Sequence, residues 1–295
     1  MSRSSGCFGA QKGANMEKLI TVLDTKMTTP TLYGWFHILS LILTVLAAVV
    51  LCKAHRKGDT KQVNRVVLWT ALICIILEVY KQFNYSFSVG ESGIVFDFQW
   101  YAFPWQFCST PMYIGLLAGL TKKGKIHDAC CAYLATFSVF AGLCVMAYPG
   151  DVFISTVGIN IQTMICHGSM VVLGIYLLFT GHVKLEQKTV VKAVPVFAVM
   201  VGIAMVMNEI AHQSGLLETE TFNMFFISPY CDPSLPVYSL VQEVLPFPAC
   251  LIVYIAGFTA ASWLILLAGM GIARLARRPR KAHAARTKSP AIALR

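Results

Sequence analysis

The sequence predicts an all-α fold, a bundle of seven transmembrane helices with its amino terminus outside the membrane and its carboxy terminus in the cytoplasm. Three observations lead to this prediction. Seven apolar stretches follow one another along the chain, each of the about 20 residues that crossing a bilayer core requires. The chain has 295 residues, of which 56% are hydrophobic and only 13% are charged. The remaining charges alternate in sign from one connecting segment to the next.

Each stretch is long enough to span the hydrocarbon core as one helix, and the segments between them are short. A membrane domain of this size leaves no room for a large soluble domain. The predicted helices are, in order, Leu32–Leu51, Val66–Phe83, Phe98–Leu120, Ala129–Tyr148, Val157–Thr180, Val190–His212 and Phe247–Ile272.

The charges between the stretches give the orientation. Lysines and arginines occupy the segments after the first, third and fifth stretches and the tail after the seventh. The segments after the second, fourth and sixth stretches contain aspartates and glutamates but no lysine or arginine. Because positive residues are retained on the cytoplasmic side, the chain is predicted to begin outside and to end inside.

Three regions follow from this pattern. Residues 1–28 are predicted to be a flexible polar segment without the apolar centre of a secretory signal, residues 29–273 the membrane domain, and residues 274–295 a basic cytoplasmic tail that is disordered over 275–295. The net charge of +10 is concentrated in the cytoplasmic loops and tail. We therefore expect the tail to contact anionic lipid headgroups, and we expect no nucleic-acid partner.

The ten cysteines show no spacing typical of a metal site, since the chain contains no Cys-x-x-Cys. Most lie in apolar helix, where cysteine is usually a small packing residue. From this pattern we expect neither a bound metal nor a cofactor.

Polar side chains within spanning helices are energetically costly and often functional. We estimate the depth of each such residue at about 1.5 Å per residue from the cytoplasmic end of its helix. Seven polar side chains then lie in one layer, about 18–24 Å from the cytoplasmic helix ends. The functional interpretation is a polar cavity at this depth, to which His212 is also assigned. The alternatives are a Glu78–Lys81 pair along one helix, an interfacial His37, and hydrogen bonds between helices through Gln106 and Asn208. For Cys108 and His167 the alternative is a packing role in the helix interior. The layer comprises His37, Glu78, Lys81, Gln106, Cys108, His167 and Asn208.

Cys108 and His167 are the pair with a possible reaction. A thiol needs a nearby base to become a nucleophile, and these two residues lie at matching depth in different helices. Pro104 and Pro111 flank Cys108 and each removes a backbone donor. The third helix is therefore expected to be kinked or unwound around the cysteine, which is tolerated where a helix lines a cavity.

Several motifs resemble a known family. The run Phe103-Pro104-Trp105-Gln106-Phe107-Cys108 is similar to the Leu-Pro-Leu-Gln-Leu-Cys element of the YwaF-like bacterial membrane proteins. His167-Gly168 resembles that family's His-Gly element, and the run from Asn223 through Ser228-Pro229 resembles its Asn-Tyr-Met element. The resemblance covers most of residues 30–270 and implies seven helices. Eukaryotic relatives include a lipid acyltransferase thought to use a cysteine and a histidine, which match Cys108 and His167.

Three classes of function remain open. The first is a lipid acyltransferase or hydrolase in which Cys108 forms a thioester, His167 is the base, and Gln106, Asn208 or Asn223 binds the oxyanion. A membrane phospholipid or lysophospholipid would be its substrate. The second is a transporter or binding protein using the same cavity. The third, a seven-helix receptor, lacks the expected motifs. Each implies a multi-pass integral membrane protein, in the plasma membrane if the source is bacterial.

Overall fold

The computed structural model describes residues 4–55, 58–217, 220–232 and 235–286. Within these ranges the chain forms ten α-helices, one two-stranded hairpin, and two 3-10 turns at Trp100–Ala102 and Met224–Phe226. The helices are α1 Ser4–Leu23, α2 Trp35–Ala54, α3 Thr60–Ser86, α4 Thr110–Leu120, α5 Lys125–Leu134, α6 Phe137–Ala147, α7 Val157–Phe179, α8 Lys188–Ser214, α9 Pro236–Val244 and α10 Phe247–Arg286, and the strands are β1 Phe87–Gly90 and β2 Gly93–Phe96.

Six helical segments in the described ranges are long and apolar enough to cross a membrane. This confirms the prediction of a multi-pass helical membrane protein, in which each segment matches one predicted stretch. Helices α5 and α6 together form a single span, Lys125–Ala147, interrupted at Ala135 and Thr136. Helix α7 lies very close to this interruption. A β-carbon on Gly174 of α7 would lie only 3.1 Å from the Leu134 carbonyl oxygen.

The third predicted stretch, Phe98–Leu120, is not one continuous helix, so a seventh full-length span is not confirmed. Only its second half is helical, as the 11-residue α4. The first half contains the 3-10 turn and an irregular run through Pro104, and Pro111 lies in the first turn of α4. Proline cannot donate a backbone hydrogen bond and its ring excludes a regular preceding turn, which explains why the helix starts only after Cys108.

Helix α7 forms the centre of the bundle and packs against α2, α3 and α6. By contrast, α2 directs large apolar side chains such as Val45, Leu46 and Val50 outward. Exposed aliphatic side chains are unfavourable in water but suit contact with lipid tails. The bundle therefore has a protein-packed centre at α7 and a lipid-facing exterior that includes α2.

The two ends of the chain contain more helix than the sequence suggested. Residues 4–23 form α1, and the segment that follows is fixed to the start of α7 because Met27 N donates to Ser155 O at 2.7 Å and Val157 N donates to Thr25 O at 3.0 Å. The prediction that residues 275–295 are disordered is wrong for 275–286, which continue α10. Residues 287–295 lie outside the described residues. The two boundaries between the three regions, after residues 28 and 273, stay predictions.

Candidate functional site

A cavity of about 1220 Å³ lies within the bundle. Its walls come from α3, α4, α6, α7 and α10 together with the connections after α3, α6 and α8. These three connections follow alternate spans and therefore meet at one end of the bundle. The cavity has room for part of a lipid molecule, and most of its lining is apolar. Among its polar lining residues are Cys108, His167, Gln106, Asn223, Glu78 and Lys81.

Cys108 lies in the irregular run just before α4. The carbonyl oxygen of Gln106 accepts hydrogen bonds from Ser109 N at 2.8 Å and Thr110 N at 3.1 Å, which forms a tight turn around the cysteine. The hydroxyl of Tyr113 donates to the Pro104 carbonyl oxygen at 3.0 Å. Side chains thus satisfy carbonyl groups that a regular helix would have used, and the thiol is left at the cavity wall.

His167 lies in the middle of α7 and is buried. Its Nδ1 is 2.7 Å from the carbonyl oxygen of Thr163, one helical turn earlier. A carbonyl oxygen can only accept, so Nδ1 carries the proton, and in the neutral ring the lone pair is on Nε2. Among the described residues, Nε2 has no hydrogen-bond partner of ordinary geometry. The backbone therefore fixes the tautomer in which Nε2 is basic.

The thiol of Cys108 and the imidazole of His167 line the same cavity, where they are close enough to influence each other electrostatically. Among the described residues no hydrogen bond of ordinary geometry joins them, and His167 Nε2 has no partner. Catalytic hydrogen bonds are often loose in the absence of substrate. A thiol near a histidine whose orientation is fixed by a backbone carbonyl is an arrangement that can support nucleophilic catalysis.

Gln106 and Asn208 hold the 3-10 turn Met224–Phe226 against the cavity. Gln106 Oε1 accepts from Phe225 N at 3.0 Å, and its Nε2 donates to the Asn223 carbonyl oxygen at 3.0 Å. Asn208 Oδ1 accepts from Met224 N at 2.8 Å, and its Nδ2 donates to Met224 O at 3.1 Å.

This turn is conformationally unusual. Phe225 and Phe226 have φ values of 61° and 57°, a region that costs bulky side chains free energy. The Tyr254 hydroxyl adds a further hydrogen bond, to Phe225 O at 2.9 Å. Asn223 lines the cavity beside this turn, with its Oδ1 accepting from Ser228 N at 2.9 Å.

Glu78 and Lys81 form an ion pair along α3, with Lys81 Nζ 2.7 Å from Glu78 Oε1. Both side chains line the cavity and both are largely buried. Glu78 Oε1 also accepts from Gln82 Nε2 at 2.9 Å, and that same nitrogen donates to Ala102 O at 2.7 Å. The pairing along one helix that the sequence left open is therefore present, and it faces the site.

Three residues assigned to the polar cavity or its oxyanion site do not line it. His37 is buried between α2 and α6, where its Nδ1 accepts from Tyr33 N at 3.0 Å and its Nε2 donates to Met146 O at 2.8 Å. His212 is exposed and stacks on Tyr230. Asn208 is buried against the Met224 backbone. Similar depth did not bring them together, because depth does not specify which way a side chain points around its helix.

Sequence reasoning missed a group of small polar side chains on the cavity wall. Cys74, Cys166 and Ser169 all line it, and Cys74 Sγ lies 3.2 Å from Ser169 Oγ. A signal was available, since Cys74 is separated from Glu78 and Lys81 by four and seven residues. This spacing puts all three on one helical face.

Comparison with known sequences identifies a family. A family model described as the TMEM164 family matches residues 32–267, which is most of the chain. The resemblance to YwaF-like proteins is not confirmed by this match. Neither the search of curated proteins nor that of solved structures found a significant match.

Proposed function

The chain belongs to the TMEM164 family, and from this premise we propose that it is a membrane-embedded enzyme that transfers or hydrolyses the acyl groups of membrane lipids. Cys108 is the proposed nucleophile and His167 the proposed general base. The observation that carries the proposal is the unpartnered Nε2 of His167, buried in the cavity that the Cys108 thiol also lines, while Nδ1 is bound to Thr163 O.

The first half-reaction is the acylation of Cys108. His167 Nε2 takes the thiol proton, and the thiolate attacks the ester carbonyl carbon of a phospholipid. The tetrahedral intermediate collapses as the carbon–oxygen bond breaks. The imidazolium then returns its proton to the leaving oxygen, which gives a lysophospholipid and a thioester on Cys108.

The second half-reaction regenerates the thiol. His167 takes a proton from the acceptor hydroxyl, whose oxygen attacks the thioester carbonyl carbon. The carbon–sulfur bond breaks and the thiolate recovers the proton from the imidazolium. A lysophospholipid acceptor gives acyl transfer, whereas water gives hydrolysis.

Two amides are the proposed donors to the oxyanion. Asn223 has its oxygen engaged by Ser228 N, which leaves its amide nitrogen as donor, and Gln106 Nε2 has a second hydrogen beyond the one given to Asn223 O. Removing one such donor in an acyl-transfer enzyme costs about 10²–10³ in kcat. Asn208 is dropped from this role because its amide is bonded to Met224.

The lipid partner and the orientation belong to the same proposal. The apolar lining suits acyl chains, and the Glu78–Lys81 pair suits a polar or zwitterionic headgroup. With the amino terminus outside, the connections around the cavity face the outer side of the membrane. The irregular run and α4 together then cross the membrane in place of the predicted third helix, which brings the number of crossings to seven. The basic residues beyond α10's apolar half then contact anionic headgroups of the cytoplasmic leaflet.

The test is to trap the thioester. The purified protein in lipid nanodiscs is incubated with phosphatidylcholine bearing an alkyne-tagged acyl chain, and the label is detected before and after neutral hydroxylamine, which cleaves thioesters. We expect a hydroxylamine-sensitive label on the wild-type protein and none on Cys108→Ala. The matched control is Cys166→Ala, which removes a thiol that lines the same cavity next to His167 and should still be labelled.

The opposite pattern rejects the proposal. A label that persists in a folded Cys108→Ala variant, or that disappears only in Cys166→Ala, assigns the chemistry to another residue. The transporter alternative is favoured if no acyl-enzyme forms and the protein carries a solute into liposomes at a rate that Cys108→Ala does not change. The buried Glu78–Lys81 pair in the cavity is compatible with that alternative as well.

A further inference from the structure

A second cluster of reactive side chains lies away from the Cys108–His167 pair. His127 and Cys131 are one turn apart on α5, and His182 lies in the connection between α7 and α8. One ligand atom from each of the three lies within 4.8 Å of the other two. His167 is 12 residues before the end of α7, so about 18 Å of helix separates the two sites.

We propose that His127, Cys131 and His182 bind one zinc ion, which joins α5 to the connection between α7 and α8. Zinc takes nitrogen ligands at about 2.0–2.1 Å and thiolate at about 2.3 Å, which implies about 3.6 Å between two ligand atoms in a tetrahedron. Cys131 Sγ lies 3.7 Å from His127 Nε2 and 4.0 Å from His127 Nδ1. These separations need only small side-chain adjustments.

The hydrogen bonds around His127 identify its ligand nitrogen. Asn64 Nδ2 donates to the Thr121 carbonyl oxygen at 3.1 Å, so the Asn64 Oδ1 is directed at the histidine. His127 Nε2 lies 2.9 Å from that oxygen and must donate to it. This leaves Nδ1 with the lone pair. A zinc-bound histidine commonly donates its other ring N–H to an oxygen in this way.

Two further observations point to a cation. The lone pair of His127 Nδ1 faces Asp128 Oδ1 at 3.2 Å, so two acceptors meet unless a proton or a cation lies there. The Nε2 of His182 is buried and has no hydrogen-bond partner in the described part of the chain. The bound ion would satisfy both groups. Its fourth position is on the side of Asp128, whose exposed carboxylate or a water molecule completes the tetrahedron.

Binding would also change the proton count. Cys131 coordinates as a thiolate, so its proton is released to solvent when the zinc–sulfur bond forms, and no electron is transferred. Cys131 and His127 are both buried, which is consistent with a structural role. The sequence missed this site because its ligands come from two separate segments and include a single cysteine.

The test uses the full-length protein in detergent, first stripped with a chelator and then given zinc alone or cobalt(II) alone. Zinc is measured by elemental analysis after gel filtration, and cobalt by its thiolate charge-transfer absorption. We expect about one zinc per chain and a cobalt–thiolate band for the wild type. Cys131→Ser and His182→Asn should each lose the bound zinc, and Asn64→Leu should weaken affinity about 10–100-fold.

The matched control is Cys130→Ser, which changes the adjacent buried cysteine outside the cluster and should keep both signals. A wild-type protein that binds no zinc and shows no cobalt–thiolate band overturns the proposal without the need for any variant. So does zinc binding that survives in both Cys131→Ser and His182→Asn. None of these readouts depends on acyl transfer, so their failure is distinguishable from failure of the proposed enzymatic function.

Discussion

A β-carbon on Gly142 would lie 2.7 Å from the carbonyl oxygen of His167. Such a distance is shorter than any ordinary contact, and the clash would be with backbone. The same β-carbon would lie 3.0 Å from the β-carbon of Met170. Helix α6 thus approaches α7 at the residue that carries the proposed base, and it can do so only because position 142 has no side chain.

Gly142→Ala is therefore expected to push α7 away from α6 and displace the His167 ring from Cys108. Overpacking of this kind typically costs about 1–3 kcal/mol in stability, and a 1 Å misplacement can cost about 10²-fold in rate. Thermal unfolding and acyl-enzyme formation in nanodiscs would measure the two effects.

The control for this substitution is Gly202→Ala on α8, where a β-carbon would meet nothing within 4 Å. In a helix interior, alanine is favoured over glycine by about 0.5–1 kcal/mol. Gly202→Ala should therefore be neutral or stabilising and should keep activity. Equal behaviour of the two variants would contradict the packing explanation.

His167→Asn is expected to lower the rate of Cys108 acylation about 10²–10⁴-fold, because asparagine cannot accept the thiol proton. The rate of label incorporation from the tagged phospholipid measures this loss. His212→Asn provides the comparison, since His212 is exposed and stacked on Tyr230 rather than in the cavity. Wild-type rates in His167→Asn would remove the histidine from the mechanism.

Lys81→Met is expected to destabilise the protein by about 3–5 kcal/mol, because it leaves the Glu78 carboxylate buried without its cation. The double variant Glu78→Gln/Lys81→Met removes both charges and should recover much of that loss. Thermal unfolding of Lys81→Met, Glu78→Gln and the double variant gives the coupling energy between the two side chains. Additive losses would mean that the 2.7 Å pair contributes no interaction energy.

Asn208→Leu is expected to destabilise the protein by about 1–3 kcal/mol for each group left unsatisfied, here Met224 N and Met224 O. Faster hydrogen exchange should be confined to the turn that these bonds hold. Gln213→Leu on the same helix removes only an exposed bond to Glu209 and should stay within about 0.5 kcal/mol of wild type. Unchanged exchange in Asn208→Leu would show that Gln106 and Tyr254 hold the turn without it.

The sequence predicted six of the spans well because a bilayer sets both the length and the apolar character of a crossing helix. It failed at Phe98–Leu120 because an irregular run packed inside protein can be as apolar as a helix. What decides between them is tertiary: Tyr113 satisfies the Pro104 carbonyl, and Gln106 holds the turn after α8.

The residues of the candidate site were predicted only in part from the sequence, as the fold was. Helical rise gave matching depths for Cys108 and His167, which the cavity brings together, although their catalytic roles stay predictions. Depth alone could not separate them from His37, which faces the Met146 carbonyl oxygen instead. Its direction depends on how α2 packs against α7, which places His37 beside Met146 of α6, and the periodicity of one sequence stretch does not contain this information.

The shortness of α4 has a consequence for the electrical properties of the membrane around this protein. Eleven helical residues extend about 17 Å, little more than half of a hydrocarbon core about 30 Å thick. If water enters the cavity beside α4, the insulating layer at that point is thinner than the surrounding bilayer. Under that condition a lipid headgroup reaches the partly buried Cys108 thiol while it remains hydrated, and the membrane voltage drops mainly across α4 and the helices around it.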